Sequence, residues 1–248
     1  MSTLSAIQKA AKKQADSITD GAVKTVESMD ASYQSLFPFK TLSEATASFS
    51  AGDVAKPNEA LAKAVSAAQE AVDSTVTACL TMERYILLTI PQMEDGGNFG
   101  VTVQLAGLKM VKDDREKLEK MLEDLSKYAS SRADALEKLK LPSSSKSKTT
   151  TSTTANNETK GGEKPGATSS TGSNTEEKTV ETENQLADAP FRQQAVWQVD
   201  ALYYSKARNA FMSAMTCFMT AADFLDKNKG KIAAPKGSSG GRGFSSMY

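Results

Sequence analysis

Apolar residues recur three and four positions apart along almost the whole of this sequence, and prolines cut the pattern into long pieces. That spacing places side chains on one face of an α-helix, whereas a strand would show a period of two. The first stripe runs Leu4, Ile7, Ala11, Ile18, Ala22, Val26, Met29, Tyr33, Leu36 and stops at Phe37-Pro38, since proline cannot continue the hydrogen-bond ladder. A second follows Pro57-Asn58 through Leu61, Val65, Ala68, Val72, Val76, Cys79, Ile86, Leu87 and Ile90, and Pro91 closes it. The third begins near Val101 and keeps a heptad-like stripe, Leu108, Val111, Leu118, Leu122, Leu125, Ala129, Leu136, Leu139, before Leu141-Pro142. Arg115 and Arg132 interrupt it, either as exposed ends or as intersubunit ion pairs. The fourth starts near Asp188 and Pro190 with two adjacent stripes: Phe211, Met215, Phe218, Ala222, Leu225 beside Ala210, Ala214, Cys217, Ala221, Phe224. A helix apolar over so wide an arc must be covered on two sides; its own bundle supplies one cover, and a neighbouring subunit is a candidate for the other. The expected fold class is all-α, an up-down four-helix bundle with long helices.

Chemistry is bounded mainly by what is missing. The chain has no histidine, which removes Ser–His and Cys–His nucleophile pairs, His-ligated zinc and the usual neutral-pH base. Cys79 and Cys217 stand alone on apolar faces without C-x-x-C spacing and read as buried free thiols in a reducing compartment. Formal charge is +0, and the short basic run 9–13 sits on an amphipathic helix, so no nucleic-acid partner is expected. No 18-residue apolar run points to a membrane, and cytoplasm or nucleus is the expected location. No cofactor and no metal site are expected. The chain reads as an interaction protein, not an enzyme.

Between residues 143 and 179 there is no Val, Ile, Leu, Met, Phe, Tyr or Trp. Such a segment cannot bury enough apolar area to offset its ordering entropy. The expected organisation is therefore helices one to three with a loop over 91–100 (residues 1–142), a low-complexity disordered linker (143–187), helix four (188–227) and a flexible tail (228–248). Connections in an up-down bundle alternate ends. The 91–100 loop and the tail should then share one pole, with the N-terminus beside them.

The loop reads Pro91-Gln92-Met93-Glu94-Asp95-Gly96-Gly97-Asn98-Phe99-Gly100. It is long for a helix–helix link and carries two apolar residues beside two carboxylates. Adjacent acids with no partner acid make poor hydrolase machinery. With Val101, this stretch resembles the activation loop of the 11S proteasome activator (REG) family, Pro-Arg-Ile-Glu-Asp-Gly-Asn-Asn-Phe-Gly-Val. Further collinear matches are Phe37-Pro38-Phe39-Lys40, Ser126-Lys127-Tyr128 with Ser131-Arg132 and Asp134-Ala135, Arg208-Asn209-Ala210-Phe211, and the ending Met247-Tyr248. The resemblance implies an ATP-independent activator that assembles into a ring, a homo-heptamer or a hetero-heptamer with a related subunit. Its partner is the end ring of the proteasome core particle. By position, Met247 and Tyr248 are the docking end, and Glu94, Asp95, Gly96, Gly97, Asn98 and Phe99 form the gate-opening loop. Gly97 departs from the family's Asn, leaving Asp95 and Asn98 as the side chains available there. The alternative is a non-catalytic helical-bundle or coiled-coil scaffold or adaptor.

Overall fold

A computed structural model describes residues 3–92, 98–139 and 190–236. Every regular element among them is a helix: α1 (Thr3–Leu36), α2 (Leu42–Ser50), α3 (Glu59–Thr89), α4 (Phe99–Ser126), α5 (Tyr128–Leu139) and α6 (Pro190–Ala233). The linker expected over 143–187 lies outside the described residues. Helix ends follow local chemistry. The Phe37 N–H still reaches the Tyr33 carbonyl at 3.0 Å, and Pro38 then stops α1. Asn58 caps α3 by accepting from the Leu61 N–H at 3.0 Å, and α6 opens on a proline, whose missing N–H costs nothing there.

α1, α3, the α4–α5 pair and α6 form the bundle, with α2 laid against α6. Thr75 on α3 reaches the Ala214 carbonyl at 3.5 Å, and Gln104 touches the carbonyls of both Thr89 and Ile232. Residue numbers on α3 and α6 thus climb together. The two helices run parallel, as an up-down chain requires of its second and fourth members.

Four expectations change. The short helix α2 replaces a plain first link; its capping box, Thr41 with Glu44, satisfies donors at both ends of the first turn. The third helix is broken at Lys127, whose N–H turns to the Asp124 carbonyl at 3.3 Å. The fourth helix does not stop at 227 but continues to Ala233, because Ile232 is fully buried and carries the last turn into the core. Both stripes of α6 are covered within the chain itself: Ala210, Phe211, Ala214, Met215, Cys217, Phe218, Ala221, Ala222 and Leu225 are buried, and Phe224 is partly buried against the same core. No second subunit is needed for that.

The two arginines are not exposed ends; both pair within the chain. Arg115 pairs with Glu83 at 3.1 Å and Glu119 at 2.7 Å. Arg132 is buried: its Nε meets Asp200 at 3.0 Å, and its Nη2 donates to the carbonyls of Val54 (3.1 Å) and Lys56 (2.8 Å). Tyr128 adds a hydroxyl donor to the same carboxylate at 2.9 Å. This knot ties α5, α6 and the link before α3 together at the pole away from the loop. Nearby, the Tyr204 hydroxyl accepts from the Phe39 N–H at 2.9 Å, and Arg208 donates to the Phe39 and Lys40 carbonyls. They hold the turn after α1 against α6.

Cys79 and Cys217 are buried free thiols. Burial pushes Cys79 up to about 12 and Cys217 up to about 11, with acidic neighbours such as Asp114 adding to both.

Two predictions follow from these groups. Arg132→Met leaves Asp200 buried without its cation and should cost about 3–5 kcal/mol in urea unfolding; Arg132→Met combined with Asp200→Asn should recover part of the loss. Both thiols have folded pKa values above the ordinary 9.0, so their contribution is complete below that pH. It should be lost as pH climbs from 9 toward 12, visible as a falling unfolding midpoint on the alkaline side.

Candidate functional site

Pro91 obliges α3 to end, and Ile90 already has extended backbone with ψ 124°. The last carbonyls of α3 therefore need partners from elsewhere. Gln8 of α1 donates to the Leu88 carbonyl at 2.8 Å, and Gln104 of α4 donates to the Thr89 carbonyl at 3.0 Å. These two amides fix where the chain leaves α3.

Its return is fixed by Asn98. The Asn98 side-chain oxygen accepts from the N–H groups of Gly100 (2.9 Å) and Val101 (3.3 Å), capping α4. That oxygen is thus committed to its own helix. Phe99, the first residue of α4, is 70% exposed, and the Lys231 ammonium lies 4.5 Å from its ring centroid. Gly100 is buried against the end of α6: a Cβ there would stand 2.3 Å from the Pro235 oxygen and 2.6 Å from its Cα. Only glycine permits this approach. Two turns further on, Gly107 leaves room for the Phe224 ring in the same way, at 2.2 Å.

Loop ends, N-terminal helix and the end of α6 consequently meet at one pole, as connectivity required. Lys229 of α6 pairs with Asp16 of α1 at 2.9 Å and closes the group. Of the residues singled out by sequence, Asn98 and Phe99 are placed here, on the return side of the loop. Glu94, Asp95, Gly96 and Gly97 lie outside the described residues, as do Met247 and Tyr248. Sequence reading missed Gln104. The signal was available, because Gln104 stands four residues before Leu108 and so lies in phase with the apolar stripe of α4. Among the described residues no group of three Cys, Asp or Glu side chains is arranged to hold a metal, and no helix is long and apolar enough to cross a membrane.

Residues 54–144, which span α3, the loop, α4 and α5, match the family model described as Proteasome activator PA28, C-terminal. Among curated proteins no sequence matches. In the archaebacterial 20S proteasome–PA26 complex, a chain of 15% identity aligns with a TM-score of 0.63, covering 98% of this chain and 99% of that one. A chain from the archaeal 20S proteasome in complex with a mutated P26 activator gives 14% identity and a TM-score of 0.63, with 94% of both chains covered. The 11S subunit of the Plasmodium falciparum proteasome, PA28, is 15% identical with a TM-score of 0.49 over 73% of this chain; this chain spans 58% of that subunit's length. At such identities the two matches with a TM-score of 0.63 speak for the fold, which is the helical fold of 11S activators.

Removing the cap should be felt locally. Asn98→Ala is expected to cost about 1 kcal/mol and to speed amide exchange at Gly100 and Val101, while Asn98→Asp keeps most of both. Urea unfolding and exchange mass spectrometry read the two effects.

Proposed function

We propose that this chain, a member of the 11S proteasome activator family, stimulates peptide hydrolysis by the proteasome core particle without ATP. Residues 237–248, with Met247 and Tyr248 at their far end, dock on the core particle's end ring. The loop residues Glu94, Asp95, Gly96, Gly97, Asn98 and Phe99 then act on the gate. The protein is regulatory rather than catalytic, and it works as a homo-heptamer or as a hetero-heptamer with a related subunit. Several weak docking contacts on one ring bind tightly together, because each contact after the first is intramolecular.

The observation that carries this reading is the direct packing of Gly100 against Pro235. A segment that leaves α6 there starts beside the loop and on its side of the molecule, as docking and gate opening on one surface require. The exposed Phe99 ring is already at that surface. The coiled-coil scaffold reading loses its motive, since Leu118 and Leu125 of the heptad-like stripe are buried inside this bundle.

Purified protein mixed with a 20S core particle and a fluorogenic peptide, in the absence of ATP, should raise hydrolysis and form an isolable complex. No rise together with no complex would sink the proposal. Deleting Met247 and Tyr248 should weaken binding by a factor on the order of 100 or more, as expected when multivalent contacts are lost together. Asp95→Ala or Phe99→Ala should leave binding intact and lower stimulation. Sedimentation giving seven-fold mass, rather than a dimer, separates the ring from the scaffold.

A further inference from the structure

Gln104 is an odd residue to find where it is. It is completely buried, on the apolar face of α4, one turn before Leu108. Its side-chain oxygen has no hydrogen-bond partner, so the amide is not there as a fully satisfied polar pair. Its nitrogen, however, is fully used. It donates to the Ile232 carbonyl at 2.8 Å and to the Thr89 carbonyl at 3.0 Å, with the Thr89 hydroxyl at 3.3 Å. A single NH2 group thus joins the last turn of α6 to the last residue of α3, from a side chain on the first turns of α4.

Each of those three helix ends borders the candidate site. Thr89 is the final helical residue before the loop, and α4 is the helix to which the loop returns. Ile232 lies three residues before Pro235, which packs on Gly100. The Lys231 ammonium over the Phe99 ring joins the same two helices from outside. Carbonyls at a helix C-terminus have no intrahelical donor. Gln8 ties the end of α3 to α1, and Lys229 ties the end of α6 to α1 through Asp16; Gln104 is the buried side chain that joins the ends of α3 and α6 to α4 and to each other.

We propose that Gln104 is a positioning residue that holds both ends of the 91–100 loop and the origin of the C-terminal segment as one unit, so that docking sets the height of the loop above the core particle's end ring. The inference rests on the activator reading and adds to it a mechanical link within each subunit. Gln104 itself touches no partner. It acts through the helix ends that it joins.

The test uses Gln104→Met, which keeps length and volume but removes the amide, in the full-length assembled protein. A control is Val72→Ala, a core change in the other half of the bundle, chosen to lower the thermal midpoint without touching this layer. In the free protein, Gln104→Met should speed amide exchange about tenfold at 100–102 and at 232–234 together, while Val72→Ala leaves both unchanged relative to its global stability. Protection lost in neither segment, or in one alone, overturns the link. With core particle, Gln104→Met should keep its half-saturating concentration within about twofold and lose most of its maximal stimulation. Equal stimulation at saturation overturns the positioning role. So does a loss that Val72→Ala reproduces, since that would be the behaviour of a residue important only for stability. If unmodified protein neither binds nor stimulates, the activator reading falls, and the exchange result alone then decides whether the link exists.

Discussion

Helix α6 is apolar over too wide an arc to lie at the edge of a bundle, and the rest of the molecule is arranged to cover it. Its 44 residues run from one pole to the other. α1, α3 and α4 close around it along most of that length, while α2 and α5 seal its N-terminal half. Burying side chains of the size of Phe211, Phe218 and Leu225 is worth roughly 1.5–3 kcal/mol each, so this helix supplies much of the driving force for assembly of the chain. Small residues then decide how closely its neighbours approach: Ala207, Ala210, Ala214 and Ala221 on α6, and Gly107 on α4.

Hydrophobic covering has no direction of its own, and the two poles are fixed by polar groups instead. At one pole, Arg132, Asp200 and Tyr128 join α5 to α6, while Arg208 and Tyr204 hold the chain leaving α1. At the other, Gln8, Gln104 and Asn98 take up helix-end groups on both sides of the loop. The donors and acceptors spent here are those that would otherwise fray, so both described ends of the loop are held in place.

Much of this was legible beforehand. The period of three and four identified the helices, the prolines bounded them, and alternation of direction put the loop and the end of α6 at one pole. Cys79 and Cys217 were read as buried thiols from their places on apolar faces, and they are buried. The loop pattern resembles that of the 11S activator family, and the helical fold is the one those activators have. Other features were not read. α2 is only nine residues long, so its signal is a capping box rather than a period. The break at Lys127 leaves the apolar spacing almost undisturbed. Arg132 looked like an interruption because its partners, Asp200, Val54 and Lys56, are remote in sequence.

The sequence by itself determined which segments are helical, which face of each is apolar, and that the chain has no histidine chemistry. These are properties of one residue and its near neighbours, and local periodicity carries them. Only the tertiary structure decided that α6 is covered by its own chain, that the two stripe arginines pair internally, and that Gly100 is glycine because Pro235 lies against it. It also decided that a buried glutamine joins three helix ends around the loop. Each of these depends on which remote residue arrives at a given distance. A stripe records that a face will be buried; it does not record what will bury it.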